Sequence, residues 1–598
     1  MTKSAMVRNL VLLGHSKSGK TSLAEAMLFC AGRTKEMGKV DDGSSTMDFE
    51  PEEKDRRLTI SASFNNFSWQ DHHIFLTDTP GDDNFITESI YSAQVADGAV
   101  MVIGAVLGVK GATARFANII TDFRLPAIVH INRMDRERAN FNATVEAVKN
   151  QLELKTAVVQ IPIGAEDNFR GIIDVIDNKA YLFAGPGGKV KEEEVPAEMA
   201  DELALAREAL MENVAETDDE LIEKFLEEGE LSQEDLLVGL KNAVKNATLC
   251  PITVGAATAN YGTAPLLDLL CRLMPSPLER PELIGTAPGA SDPITITPKD
   301  DGPFTAVVFK TISDPYAGKL SIFRVFSGTA KNAIFLNANR GNQEKGGNLL
   351  LLSGKDQEQV KELGCGMIGA VAKLKETATG DTLCDPRNPV IIDILTPPEP
   401  GLSFAVGAVN QKEEEKLFAS LHKVVEEDPA LKLERQPQTR ETILSGLGQV
   451  HLEVTGDRVK RKYGVEMNLS TPKIPYKETI RGKSRVQGKH KKQTGGHGQY
   501  ADSWIEIAPL PRGGGFEFED RIVGGVIPKQ YIPAVEKWVI ESMERGILAG
   551  YPVIDVKVAL VDGSFHAVDS SEMALRFPAQ WPSKRGPRRR GWPCLNRS

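Results

Sequence analysis

The chain has 598 residues, 41% of them hydrophobic and 26% charged, with a formal net charge of -11. That length exceeds one hydrophobic core and implies about four domains, and the acidic balance excludes wholesale coating of nucleic acid, so any RNA contact is confined to a local patch. Six cysteines (Cys30, Cys250, Cys271, Cys365, Cys384 and Cys594) lie apart with no CxxC pair, and no run approaches the ~18 apolar residues of a membrane span; disulfide, zinc and membrane classes are set aside and a cytoplasmic location is expected.

The first predicted element is the strand in VRNLVLLG, followed by Gly14-His15-Ser16-Lys17-Ser18-Gly19-Lys20-Thr21-Ser22 and a helical pattern. This is a phosphate loop between strand and helix. Gly14 and Gly19 let backbone N–H groups turn onto phosphates at a helix N-terminus, Lys20 is expected to reach the β- and γ-phosphates, and Thr21 to hold Mg²⁺. A second apolar strand, HIFLTD, ends at Asp78, placed to bind the magnesium through water, and continues as Thr79-Pro80-Gly81-Asp82. Gly81 offers a bare backbone N–H to the γ-phosphate. A third strand, PAIVHI, ends in Asn132-Arg133-Met134-Asp135, where the Asp135 carboxylate matches the donor pair of guanine, which adenine lacks.

The order GHSKSGKT, RRLTI, DTPG, NRMD resembles the GTPase domain of translation factors, and specifically the elongation factor G family, over nearly the whole chain. The resemblance implies GTP/GDP and Mg²⁺ as ligands, Thr59 of TMDFEPEEKDRRLTI closing over magnesium and γ-phosphate, and Gly255, Ala256 and Ala257 of ITVGAATANYG as the guanine-supporting loop. The serine usual there is alanine here, which puts one hydrogen bond in doubt. Two charges also depart from the family: Asp82 stands where histidine orients the attacking water, and Lys17 where aspartate is usual. Lys20, Thr59, Gly81 and Asp82 are the expected catalytic set, Thr21, Thr59 and Asp78 the metal set, and hydrolysis is expected to be slow. An Asp82 carboxylate beside the γ-phosphate is expected either to turn away or to take up a proton, with pairing to Lys17 as a further expectation.

Beyond the guanine loop, PIGAEDNFRGIIDV resembles the opening of the family's insertion (about 160–250), and residues 189 to about 248 read as acidic helices, a solvated face or the family's contact with ribosomal stalk protein. Alternation in PFTAVVFKTI, LSIFRVFSGTA and NAIFLNANRG predicts a β-barrel over 286–398, which TGDTLCD closes. A split βαβ, ferredoxin-like domain is expected over 399–475 and an S5-like arm over 476–577, after a GTP-binding domain over 1–285. The expected fold class is therefore a doubly wound α/β P-loop domain with a helical insertion, a β-barrel and two α+β domains. In the arm, Lys489, Lys491, Lys492, Gly495, Gly496 and His497, with His566 of VDGSFHAVDSSEMAL, resemble the loops that enter the decoding region and are the expected RNA contacts.

The family resemblance stops near residue 576, and the Pro- and Arg-rich segment 578–598 reads as an aberrant or disordered tail, arising from a frame shift or another replacement, without the family's fifth domain. The function implied is a monomeric, ribosome-associated GTPase, with ribosomal RNA, stalk protein and tRNA–mRNA as partners, coupling GTP hydrolysis to translocation or a related step. A GTP-regulated ribosome binder with little hydrolysis, and a ribosome-protection or recycling factor, are the alternatives.

Overall fold

The structure, a computed structural model, describes residues 4–566 apart from 186–187, 315–317, 494–497 and 547–548. Gly495, Gly496, His497 and the 578–598 tail thus lie outside the described residues. Compactness divides the chain into two units, Met1–Glu434 with Ile443–Ser470, and Arg435–Thr442 with Thr471–Ser598.

The apolar runs of the N-terminal region form a seven-stranded sheet. In chain order its strands are β1 (Val7–Leu13), β2 (Ser63–Trp69), β3 (His72–Asp78), β4 (Gly98–Gly104), β5 (Ala127–Asn132), β6 (Thr156–Val158) and β7 (Cys250–Val254). They lie in the spatial order β2-β3-β1-β4-β5-β7-β6, with only β2 antiparallel to its neighbour. Near-continuous apolar strands are what a parallel sheet covered on both faces requires. Leu10, Leu12, Val100, Val102 and Ile128 pack with Leu23 and Met27 on one side. Val11, Leu13, Met101, Ile103 and Val129 pack with Phe116, Ile120 and Val148 on the other. The carboxyl ends of β1, β3, β5 and β7 consequently deliver Gly14, Asp78, Asn132 and Gly255 to one edge, where open α/β sheets bind their ligands.

Between β6 and β7 lie an antiparallel four-stranded sheet and helices at Ala200–Ala215, Asp219–Glu228 and Gln233–Lys245. One part of the acidic stretch is not helical: Val190–Glu193 is a strand paired with Lys179–Phe183. Its charged side chains suit a sheet edge, and sequence periodicity over so short a run is easily absorbed into the helical pattern that follows.

The region read as a barrel is an eight-stranded sheet built around the hairpin Thr305–Asp314/Gly318–Ser327. Thr382–Cys384 bridges its interior, pairing with both Thr305–Val307 and Leu336–Asn337. Next come two βαβ repeats, with strands Leu402–Ala408, Lys432–Gln436, Glu441–Gly446 and Met467–Ser470 in one sheet and helices Glu414–Glu427 and Gln449–Tyr463. In the second unit, strands Ser484–Gln493, Gly498–Pro509, Val556–Ser564 and Phe516–Asp520 are neighbours in that order. Ile505, Ile507, Val556, Val558 and Leu560 pack against Val535 and Val539 of the Ile532–Arg545 helix.

Candidate functional site

The turn after β1 needs backbone angles that side chains disfavour. Gly14 has φ 143° and Gly19 φ 99°, and a Cβ on Gly14 would collide with the Val102 carbonyl. The helix α1 (Lys20–Cys30) starts there, so its free N–H groups and positive dipole end face the loop. Lys20 is buried and its ammonium donates to the carbonyls of Gly14 (2.8 Å) and His15 (3.3 Å). Burial pushes it down to about 8, opposed by Asp78 and Asp48. Gly81 rests on this loop: its carbonyl accepts from Ser16 N at 2.8 Å, and a Cβ there would strike Lys20 Nζ and Ser16 N. The Thr79 hydroxyl donates to Leu12 O at 2.6 Å, and the Pro80 carbonyl accepts from Ser89, so these two brace the turn.

A second cluster gathers next to Lys20. The hydroxyls of Thr21 and Thr59 are 3.0 Å apart, bringing together helix α1 and the RRLT segment. Asp78 and Asp48 are buried, and the donors beside their carboxylates are the hydroxyls of Thr21 and Thr59 respectively. Burial raises both carboxyls, and Asp78 beside Asp48 raises it further. Two buried carboxylates met by two hydroxyls form a hard oxygen donor set of the kind Mg²⁺ takes with phosphate oxygens and water. Residues Thr21, Thr59, Asp78 and Asp48 would hold it. Asp48 was not among the expected ligands; its only sequence signal is that a carboxylate precedes RRLT on the same segment.

Asn132 fastens the base end. Its amide Nδ2 lies 3.2 and 3.3 Å from the carbonyls of Ser18 and Gly19, and its Oδ1 accepts from Arg133 N (2.8 Å) and Ala257 N (2.9 Å). Met134 N donates to Gly255 O at 3.2 Å while its side chain is buried. Asp135 Oδ2 accepts from the Thr258 hydroxyl at 3.1 Å, and its Oδ1 is buried without a partner. Ala256 is buried and, lacking a hydroxyl, contributes backbone alone. His15 is held near pH 4 by burial and by Lys20 and Arg133, with Nδ1 3.1 Å from the Thr113 hydroxyl, so it is neutral at pH 7.

Beside these groups lies a cavity of about 840 Å³ whose wall includes Ser16, Lys17, Lys20, Thr21, Asp48, Thr59, Gly81, Arg133 and Thr258, with Asp78, Asn132 and Asp135 behind it. Asp82 is not in its wall. Its carboxylate caps the short turn Asp83–Phe85, accepting from Asn84 N at 3.0 Å and Asn84 Nδ2 at 2.7 Å. Asp82 binds Asn84, and no ion pair between Asp82 and Lys17 occurs among the described residues without nucleotide, the acid of this turn that meets a cation being Asp83, 2.8 Å from Arg115. The Asp82 carboxylate is stabilised by the N–H donors of the turn it caps.

In the second unit, the hairpin Ser484–Gln493/Gly498–Pro509 pairs Lys491 with Tyr500 and Lys492 with Gln499. Lys489 lies 3.8 Å from Asp502. The His566 ring lies edge-on to Tyr500 with centroids 6.5 Å apart, and the Tyr500 hydroxyl is 2.7 Å from Ser564 Oγ. His566 and the lysine strand are therefore brought to one end of this sheet.

Known proteins match along the chain. Residues 5–276 match the elongation factor Tu GTP binding domain, 303–386 elongation factor G domain 2, 397–471 elongation factor G domain III and 472–581 elongation factor G domain IV. A crystal structure of a Thermus thermophilus protein superposes with a TM-score of 0.85 at 34% identity, covering 96% of this chain and 83% of that one. With the phosphate loop, the paired threonines and the Asn132–Asp135 clasp at one sheet edge, and with elongation factor G domains following in order, the chain belongs to the elongation factor G family of translational GTPases.

Proposed function

We propose that this protein is a ribosome-associated GTPase that couples GTP binding and hydrolysis to tRNA–mRNA translocation or a related ribosomal step. The observation that carries the reading is the wall of the nucleotide cavity. The segment from Glu50 to Ser61, which ends at Thr59–Ile60–Ser61, is fastened to the Gln449–Tyr463 helix. Arg461 reaches Glu52 at 2.6 Å and Glu50 at 2.5 Å, Arg458 reaches Ser61 Oγ at 2.7 Å, and Arg56 reaches Asp457 at 2.8 Å. A segment that carries a phosphate-sensing threonine on one side and a neighbouring domain on the other converts the presence of a γ-phosphate into domain position.

Each residue then has a task. The Gly14–Lys20 backbone holds the phosphates and the Lys20 ammonium exchanges two carbonyls for phosphate oxygens. Thr21, Thr59, Asp48 and Asp78 would hold Mg²⁺, which would supply positive charge against the phosphates. Asp135 accepts from guanine. Gly81 presents its N–H where the γ-phosphate lies. With the Asp82 carboxylate committed to Asn84, no side chain at position 82 orients the attacking water, and hydrolysis by the free protein is slow. That same commitment favours a second reading, a GTP-regulated ribosome binder with little turnover.

One experiment separates the two: GTP hydrolysis by the full chain measured with and without ribosomes, with ATP as the control nucleotide. Ribosome-stimulated release of phosphate from GTP alone is the expected result. Nucleotide-dependent ribosome binding without stimulated release would leave the second reading standing, and failure to bind GTP would remove both.

A further inference from the structure

We propose that Thr258 is a guanine-specificity residue of this chain, a positioning residue that acts through Asp135. The proposal rests on the guanine-binding reading given above and names how that site is tuned. Three rungs tie the turn after β5 to the turn after β7. Asn132 Oδ1 accepts from Ala257 N at 2.9 Å, Gly255 O accepts from Met134 N at 3.2 Å, and Asp135 Oδ2 accepts from Thr258 Oγ1 at 3.1 Å. The first two are made by backbone on the second turn and survive any side-chain change there. The third alone depends on side-chain chemistry.

That rung settles which way the carboxylate faces. The guanidiniums near Asp135 are Arg133 and Arg136, the latter with Nε 3.9 Å from the same Oδ2, too long for a hydrogen bond. The Thr258 hydroxyl supplies a directional bond to the carboxylate, whose terminal torsion is broad for aspartate. With it, Oδ2 is engaged and Oδ1 remains a buried acceptor without a partner. A buried, unsatisfied anionic oxygen is costly unless a ligand donates to it, and guanine presents two adjacent donors, N1–H and the 2-amino group. Thr258 also lines the cavity, so the hydroxyl stands at the place where the base enters.

On the second turn, position 256 is buried between the backbone rungs at 255 and 257 and carries a methyl group, while position 258 carries the hydroxyl from which Asp135 accepts.

The test uses the full chain and compares GDP with inosine diphosphate, which lacks the 2-amino donor. A merely structural role for Thr258 would weaken both nucleotides alike; a role through Asp135 lowers their affinity ratio. Thr258→Val is expected to cut GDP affinity by about tenfold or more, on the scale of one hydrogen bond to a charged group, and to bring the GDP/IDP ratio down. Thr258→Ser is expected to keep the parent ratio. An unchanged ratio in T258V, or a ratio in T258S as low as in T258V, overturns the proposal. If the parent chain binds neither nucleotide, the guanine-binding reading itself fails, an outcome visible before any variant is made.

Discussion

At Asp48 stability and function pull in opposite directions. Its carboxylate and that of Asp78 are both buried, and the charge of Asp78 adds to the burial cost of ionising Asp48. Replacing Asp48 with Asn removes one charge from the pair. The nucleotide-free protein is expected to gain about 1 kcal/mol or more, since a shift of one pKa unit corresponds to about 1.4 kcal/mol. Affinity for GTP in the presence of Mg²⁺ is expected to fall by about tenfold, because a neutral amide replaces an anionic oxygen beside the cation. Thermal unfolding without nucleotide and GTP titration with and without Mg²⁺ read the two effects separately; a D48N chain that is no more stable and binds Mg²⁺·GTP equally well would contradict both. His130 gives the pH counterpart. It is buried in β5, Nδ1 lies 3.0 Å from the Thr253 hydroxyl, and burial pushes its pKa down to about 3. A folded pKa below the unfolded value of about 6.5 means that the unfolded chain binds the extra proton, so stability is present above that pH and is lost as pH falls through it. Relative to His130→Asn, the parent chain should lose about 2 kcal/mol between pH 7 and pH 5. Equal pH slopes for the two chains in chemical denaturation would refute this. The motifs around these residues were legible because a phosphate loop, a strand-ending aspartate and Asn-x-x-Asp are each set by local backbone. Asp48 and Thr258 were not, because each has meaning only against a partner far along the chain, at Asp78 and Asp135.

Among the elements, helix α1 does more than hold phosphates. Glu25, fully buried one turn beyond the phosphate loop, accepts from Gly38 N (3.2 Å), Ser45 Oγ (2.8 Å), Thr46 N (2.6 Å), Thr46 Oγ1 (2.8 Å) and Met47 N (3.1 Å). One carboxylate thereby fixes the stretch leading to Asp48. Further along, Glu53 accepts from Glu50 N, Ile60 N and Ser61 N at 3.0–3.1 Å, closing the turn that carries Thr59. Replacing Glu25 with Ala strands several buried donors at once, and each unmet one costs about 1–3 kcal/mol. The segment is therefore expected to detach while the rest of the sheet holds. Trypsin should cut at Lys39, Arg56 and Arg57 about tenfold faster in the variant with a non-hydrolysable GTP analogue bound, a factor that about 1.4 kcal/mol of local opening suffices to produce. Cleavage at the parent rate would show that the anchor lies elsewhere. Most strands and helices were readable from periodicity, the Val190–Glu193 strand within the acidic stretch being an exception. The anchoring of Gly38–Met47 was not, since it depends on a single acid inside an apolar helix face, where pattern alone reads it as an exception.

For the molecule as a whole, the net charge of -11 was informative for what it excluded: RNA binding had to be local. The nucleotide cavity and the lysine hairpin belong to different compact units, the first within Met1–Glu434 and the second within Thr471–Ser598. Their contributions to function are accordingly expected to separate on mutation. In the hairpin the register sets Lys491 beside Tyr500 and Lys492 beside Gln499, while Lys489 neighbours Asp502 and His566 meets Tyr500. Replacing Lys489, Lys491 and Lys492 together by alanine should weaken ribosome association most at low salt and flatten its dependence on salt concentration. Every phosphate that the variant no longer neutralises lowers the log–log slope by about 0.7–0.9, so the change should approach ~2–3. Lys489 is expected to contribute least, because Asp502 already offsets part of its charge. GTP and GDP affinity of the same variant should equal that of the parent. An unchanged salt slope would remove the hairpin from the RNA interface, and a matching loss of nucleotide affinity would show that the two units are coupled in the free protein.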